Sequence, residues 1–515
     1  MSVRILWADD EIDLLKPHIL FLEAKSYSVD AVISGVDAIR KSREFAYDVI
    51  FLDEQMPGLS GLQTLEQIKA FRPDTPVVMI TKNEEENIME AAIGSQIADY
   101  LIKPVNPNQI LHSLKKILQV KTLVTQKTES DYRSEFGKIG VEIGEAETWT
   151  EWCDVYRKLI NWDLQFTAQD TADMKDVLQM QMSEANSQFS KYIKSTYKDW
   201  FKGSDDKPLL TPNIIKETVI PRLKAGDKTV LLVIDNLRLD QWKIIRPLIK
   251  EFFTVEQDTL CCAILPTTTQ YSRNALFAGL LPSAIAEKYP QYWKNDEEED
   301  GKNLYEEDLL REQLVRNGFS DKFYFEKVTA AGGGKKLSEK ISNMMSCQLS
   351  VIVYNFVDTL SHARTEMEII KELANDEAAY RSLTLTWFRH SPLYDFLRKL
   401  SEEDVSLVIT TDHGSVKGLN AIQVVGERTI TTNLRYKTGK SLKYNAKEVF
   451  EIKEPKQIGL PVTHLSSSYI FATKNDFFAY PNNFNHYAKY YRDTFQHGGI
   501  SLEEMIIPLA CLRSK

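Results

Sequence analysis

Short apolar runs alternate with amphipathic stretches along the first 120 residues, where RILWA, DVIFL, PVVMIT and DYLIK are each followed by residues of helical spacing. That rhythm predicts a parallel sheet covered on both faces, a doubly wound (βα)5 domain over 1–120. Pro17 falls inside the first helical stretch, where it either opens the helix or kinks it. From 121 to 205 the rhythm changes. WTEWCDVYRKLINWDLQ and DMKDVLQMQMSEANSQFSKYIKSTYKDWF place apolar residues every three to four positions, which predicts a helical bundle with its Trp, Tyr and Met residues as core rather than as a face for nucleotides. Strand and helix signals alternate again over 206–515, predicting a second, larger α/β domain. The acidic run KNDEEEDGKNLYEED (294–308) reads as a solvated loop, and 428–484, aromatic and without a clear period, as an insertion near the site that shapes substrate choice.

Composition bounds the partners. A chain of 515 residues exceeds what one hydrophobic core organises, so two or three domains are expected. The formal charge of −10 argues against duplex DNA. The start MSVRILWADD has no charged-then-apolar leader, and no apolar run is long enough to span a bilayer, so a cytoplasmic protein is expected. Five scattered cysteines without C-x-x-C spacing are read as reduced packing residues.

Two constellations of polar residues stand at strand ends. In a doubly wound sheet ligands bind beyond the carboxyl ends of the strands, and Asp9, Asp10, Asp53, Thr81 and Lys103 all fall there. Three clustered carboxylates suit Mg²⁺; a remaining oxygen of Asp53 can attack a phosphoryl donor while Lys103 and Thr81 hold the new phosphate oxygens. Further along, LLVID closes on Asp235, VIVYNFVD on Asp358 and LVITTDH on Asp412 and His413. Asp358 and His362 lie four apart and share a helix face if the chain turns helical there, and His497 would complete that set. Asp235, Asp412 and His413 form another. The imidazole and carboxylate mixture favours Zn²⁺, with Mn²⁺ the alternative, and two such ions clamp an in-line displacement at phosphorus. The threonine cluster in LPTTTQYSRNALFAG offers a hydroxyl before a helix-like segment, suited equally to a nucleophile and to an ordinary cap.

Over its first 120 residues the chain resembles the response-regulator receiver family through ILWADDE, FLDEQMPGLSG, MIT and LIKP. The resemblance implies Asp53 as phosphoacceptor and Tyr100 as the aromatic that reports phosphorylation to a dimer face; Lys82 stands where the family has a small residue. Over about 205–515, the order Asp, Thr cluster, Asp-x-x-x-His, Asp-His-Gly, late His resembles the alkaline phosphatase superfamily. That likeness implies Thr269 as nucleophile, with Thr268 the fallback. It also implies one Zn²⁺ held by Asp235, Thr269, Asp412 and His413 and a second by Asp358, His362 and His497. No C/S-x-P-x-R pattern supports a sulfatase, and threonine in place of serine favours ester hydrolysis over phosphomutase chemistry.

The combination of receiver, helical middle and this output domain resembles the PorX type of response regulator with its PglZ domain. It implies a sensor histidine kinase as partner, a homodimer on phosphorylation, a role in type IX secretion, and zinc-dependent cleavage of oligonucleotide or cyclic nucleotide phosphodiesters. The competing expectation is a non-catalytic, phosphorylation-dependent dimeric switch that binds a secretion subunit, a transcription factor or a sigma factor.

Overall fold

A computed structural model describes residues 3–82, 97–169, 172–204, 206–296, 298, 301–329, 336–366, 376–426, 433–462 and 467–515; within helices, the side chains of 119–125, 169, 172–173 and 362–366 lie outside the described set. The chain divides into two compact units, Met1–Asp131 and Tyr132–Lys515.

In the first unit, β1 (Arg4–Ala8), β2 (Ser28–Val32), β3 (Val49–Asp53), β4 (Val77–Thr81) and β5 (Asp99–Ile102) form one parallel sheet in the order β2-β1-β3-β4-β5. The central strands β3 and β4 are buried at every position, as uniformly apolar runs sandwiched between helices should be. Pro17 lies in the first turn of the helix Lys16–Glu23, where its missing N–H costs no helical hydrogen bond. Ser60 and Gln63 form a reciprocal capping box that starts the helix Gly61–Phe71. The residue after that cap must be glycine, because a Cβ on Gly61 would sit 2.5 Å from the Asp53 carbonyl oxygen and 2.7 Å from Glu54 Cα.

In the second unit, β6 (Thr229–Ile234), β7 (Phe253–Cys262), β8 (Tyr324–Val328), β9 (Leu349–Tyr354) and β10 (Ser406–Thr410) belong to a six-stranded mixed sheet closed by β18 (Ile506–Ser514), in the order β7-β18-β10-β6-β9-β8. Strands β10, β6, β9 and β8 are mutually parallel, while β18 runs antiparallel to both β10 and β7. Smaller pieces follow β10. These are β11 (Val416–Lys417) with β17 (Phe495–Gln496), β12 (Asn420–Gln423) with β16 (Asp476–Ala479), and the sheet of β13 (Tyr436–Gly439), β15 (Ser468–Ala472) and β14 (Val449–Ile452). The aromatic stretch 428–484 thus carries short strands of its own, although 427–432 and 463–466 lie outside the described residues.

The helical middle is built of Pro107–Glu145, Trp149–Gln169 and Ala172–Thr196. Its aromatic stripe is core: Trp152, Tyr156, Phe166, Phe189 and Tyr197 are at most 1% exposed. They belong to the same continuous hydrophobic cluster as Val230–Ile234 and Ile506–Leu512 of the large sheet. The bundle residues from 132 onward therefore belong to the second unit and share its core. All five cysteines are free and buried. Among the described residues no helix is long and apolar enough to cross a membrane.

Candidate metal centre and phosphorylation site

The carboxyl ends of β10, β6 and β9 lie side by side, so the residues that follow them converge although they are far apart in sequence. Asp235 follows β6 directly. Asn236 takes a left-handed turn (φ 62°), and its backbone N–H donates to Asp412 Oδ1 at 3.4 Å. Leu237 N–H donates to Thr411 Oγ1 at 3.1 Å, tying the β6 and β10 loops together. Asp235, Asp412 and His413 are all buried, each with a ligand atom within 4.8 Å of the others. Asp358 lies in the first turn of the helix Phe356–Glu366 and accepts from Asn236 Nδ2 at 3.5 Å, which brings the β9 end to the same place.

The threonine cluster arrives from β7. Because β7 runs parallel to β10 across the antiparallel β18, its end at Cys262 leads to the same edge of the sheet. Thr269 opens a π-helical turn (Thr269–Arg273) that continues as the helix Asn274–Ala278, and its Oγ1 stands 3.3 Å from His413 Nε2. Thr268 Oγ1 is buried with no hydrogen-bond partner, and Thr267 Oγ1 donates to the Gly499 carbonyl at 3.0 Å. Of the three hydroxyls, that of Thr269 is placed against the candidate ligands. His497 stacks on His413, with ring centroids 4.2 Å apart and planes 16° from parallel, and its Nδ1 contacts the Thr267 carbonyl at 3.2 Å. Among the described residues Asp358 and His497 do not gather into a ligand cluster with a third group, and the side chain of His362 lies outside the described set. Gly414 completes the Asp-His-Gly turn because a Cβ there would collide with the Glu503 carbonyl oxygen.

Charge explains why these carboxylates can stay buried. Arg273, fully buried, pairs with Asp235 at 2.6 Å and Glu306 at 2.7 Å, and approaches Asp412 at 3.7 Å. Burial pushes the Asp235 carboxyl up, Arg273 opposes that, and the Asp412 charge adds to it. One guanidinium shared with Glu306 cannot balance two aspartates, and Asp235 Oδ1 and Asp412 Oδ2 are buried without a hydrogen-bond donor. Two orphaned carboxylate oxygens beside an imidazole, short of positive charge, fit a divalent cation.

Several of these groups escaped the sequence reading. The acidic run 294–308 is not simply a solvated loop. Asp296 accepts from Tyr271 Oη at 2.6 Å and Tyr436 Oη at 2.8 Å, and burial raises its carboxyl despite both bonds. Glu306, 1% exposed, starts the helix Glu306–Arg316 and braces Arg273 and Lys327. Arg273 and Asn274 are buried supports: Asn274 Nδ2 donates to the Lys302 carbonyl at 2.8 Å. No period in the sequence marks which acids of a run turn inward; Glu306 is selected by the cations opposite it, Arg273 and Lys327.

In the first unit, Asp9, Asp10 and Asp53 likewise place ligand oxygens within 4.8 Å of one another. Lys103 Nζ reaches Asp9 at 2.8 Å and Asp53 at 2.9 Å. Burial raises Asp53, the Lys103 hydrogen bond opposes it, and the Asp9 charge adds to it; the two carboxylates in turn outweigh burial and raise Lys103. Asp53 Oδ1 has no hydrogen-bond donor, again an opening for a cation. Thr81 ends β4, buried; Tyr100 in β5 is half-buried against the core. Lys82 points to Glu11 at 3.1 Å, an exposed pair at the mouth of this site.

Comparison with known proteins finds three family profiles along the chain. The profile of the "BREX system PglZ alkaline phosphatase-like domain" matches residues 214–511, that of the "PorX response regulator linker domain" 122–201, and that of the "Response regulator receiver domain" 5–115. The chain is 32% identical over 131 residues to transcriptional regulatory protein ResD of Bacillus subtilis (25% of this chain, 52% of ResD). To transcriptional regulatory protein ZraR of Escherichia coli O157:H7 it is 30% identical over 139 residues (27% of this chain, 32% of ZraR). The chain thus spans about half of the one relative and about a third of the other. A two-component response regulator from Clostridium difficile is similar in structure at 31% identity, covering 23% of this chain and 96% of that one, with a TM-score of 0.22.

Proposed function

Because the chain belongs to the PglZ alkaline phosphatase-like family and joins that domain to a PorX-type linker and a receiver, making it a two-component response regulator, we propose that phosphorylation at Asp53 controls a zinc-dependent phosphodiesterase. Its substrates are oligonucleotide or cyclic nucleotide phosphodiesters. The observation that carries this reading is the meeting of Thr269 Oγ1 with His413, beside Asp235 and Asp412 oxygens that lack any protein donor.

Asp235, Asp412, His413 and Thr269 would hold one Zn²⁺, and Asp358, His362 and His497 the second. When bound, such ions lower the pKa of a coordinated hydroxyl and neutralise charge on a transferring phosphoryl group. The chain supplies the rest. Thr269 Oγ attacks phosphorus; a P–O bond to threonine forms, the bond to the leaving oxygen breaks, and the hydroxyl's proton ends on that oxygen as the product alcohol. Water then cleaves the phosphothreonine and restores the hydroxyl. Arg273 works from behind, holding Asp235 and limiting carboxylate repulsion, and the stacked His497 and His413 rings keep each other in register.

In the receiver, Asp9, Asp10 and Asp53 would hold Mg²⁺, and a sensor histidine kinase would supply the phosphoryl group to Asp53, with Lys103 and Thr81 receiving its oxygens. Phosphorylation would favour a homodimer, with Tyr100 reporting the change. Control of type IX secretion from the cytoplasm, through a secretion subunit or a sigma factor, is the setting the family suggests.

The test is turnover of a chromogenic diester by the full chain, with zinc content measured in parallel. Thr269→Ala should lose at least ~10³-fold in rate while keeping its zinc, and chelation should abolish turnover in the wild type. A fully zinc-loaded wild type with no turnover supports the non-catalytic switch instead.

A further inference from the structure

The helix Phe484–Tyr491, FNHYAKYY, has no buried residue, although half of it is aromatic. Tyr487 is 38% exposed and Tyr490 48%. The rings form two i,i+4 pairs: His486 on Tyr490 (centroids 6.3 Å, 20° between planes) and Tyr487 on Tyr491 (6.2 Å, 14°). Tyr491 packs edge-on to buried Phe477 at 6.5 Å, which seats the helix, while His486, Tyr487 and Tyr490 are exposed. This is unlike Trp152, Tyr156, Phe166, Phe189 and Tyr197 of the helical bundle, whose rings turn into the core.

The charge here opposes that of the molecule. From Tyr480 to Arg492 there is no Asp or Glu, in a chain with 73 of them and a net charge of −10. His486, Lys489 and Arg492 are exposed along the same segment. Of the acids that flank it, Asp493 is paired with Lys417 at 3.0 Å and Asp476 accepts from Asn420 at 3.1 Å. Position gives the patch its meaning. His497 follows Arg492 by five positions, so the helix end lies within roughly 18 Å of that residue by chain length alone. A single strand held at the helix can therefore reach the metal centre.

We propose that the exposed face of Phe484–Tyr491, with Lys489 and Arg492, is a distal subsite that stacks the bases of a single-stranded oligonucleotide and neutralises its phosphates. Flat rings with free faces and interleaved cations are the means by which proteins hold single strands without reading sequence. A protein helix seeking a groove would need aliphatic surface, and Ala488 is the one aliphatic residue the helix has. This inference rests on the reading of the C-terminal site as an oligonucleotide phosphodiesterase and names where the rest of that substrate lies.

The experiment measures fluorescence anisotropy of a labelled thymidine oligonucleotide of about 12 nucleotides with chelated full-length protein. Turnover of a small chromogenic diester by the zinc-loaded protein is measured in parallel. Tyr487→Ala with Tyr490→Ala should weaken oligonucleotide binding by roughly tenfold or more, leaving small-diester turnover unchanged. Lys489→Gln with Arg492→Gln, which disturbs no ring pair, should weaken binding and flatten its salt dependence. The inference is overturned if the wild type does not bind the oligonucleotide, if both double variants bind like wild type, or if vesicles of anionic lipid or a polyglutamate peptide compete as well as unlabelled oligonucleotide. Binding that falls in the variants, with no diester turnover in the wild type, upholds the subsite and refutes the hydrolytic reading alone.

Discussion

Glu503 shows how single side chains beside the metal centre are set by their surroundings. It is buried and pushed up to about 7, by burial first and by the charge of Glu377, against hydrogen bonds from its own backbone and Asn186 and the charge of Arg238. Asn186 Nδ2, from the helical bundle, donates to both carboxylate oxygens at 3.2 and 3.0 Å. A carboxyl whose folded value exceeds its unfolded one keeps its proton in the fold. Unfolding then releases that proton between the two values, and stability falls as pH rises from about 4.5 to about 7. In metal-free protein, urea unfolding at about pH 5 and about pH 8 should show wild type losing on the order of 3 kcal/mol relative to Glu503→Gln. Equal pH dependence of the two proteins would refute a neutral Glu503. Thr269 and Arg273 make a related point: one turn of helix presents a hydroxyl to the site and a buried guanidinium to its carboxylates, two roles that chemistry separates and geometry joins.

Among the elements, the helical bundle is the most consequential. Trp152 packs on Phe189 (centroids 5.4 Å) and Tyr192 (6.1 Å), within the cluster that contains the strands of the large sheet. A polar contact crosses the same boundary where Arg381 reaches Asp163 of the bundle at 2.5 Å, and behind it, within the sheet domain, Arg381 reaches Asp240 at 3.2 Å and Arg238 pairs with Asp240 at 2.5 Å and Glu377 at 2.9 Å. Asp240 is held down to about 2: its full burial alone would raise it, but Arg238 and Arg381 outweigh that. A buried network of this kind tolerates the loss of no single partner, because each leaves a charge uncompensated. Bundle and metal-site domain should therefore unfold together. Trp152→Ala, at a cost of about 3–5 kcal/mol, should lower the same calorimetric transition that zinc raises; two separate transitions, one moved by each, would show that the bundle folds independently.

At the scale of the full chain, the two units carry two centres of one design: acids at the carboxyl ends of parallel strands, a cationic side chain paired with them, and oxygens left without donors. Beryllofluoride, an acyl-phosphate mimic, should shift the chain from monomer to dimer in size-exclusion chromatography with light scattering, and Asp53→Asn should abolish that shift. A wild type that elutes at one mass in both conditions refutes phosphorylation-driven assembly. Diester turnover measured on the same samples tells whether phosphorylation governs hydrolysis or assembly alone.

Much of this was legible in the sequence because strand ends leave a local signature. An apolar run that stops at Asp53, Asp235 or Asp412 states both the strand and the side of the sheet where its acid lies, and family likeness rested on the order in which such residues follow along the chain. The tyrosines of FNHYAKYY and of the bundle obey the same helical spacing, so spacing could not separate an outward ladder from a core. Nor could it single out Glu306 and Asp296 within an acidic run, detect that Arg273 faces inward, or place the bundle in one core with the large sheet. Those outcomes depend on which groups meet across long stretches of chain, where burial makes an unpaired charge or an uncovered ring costly, and only the folded structure fixes those meetings.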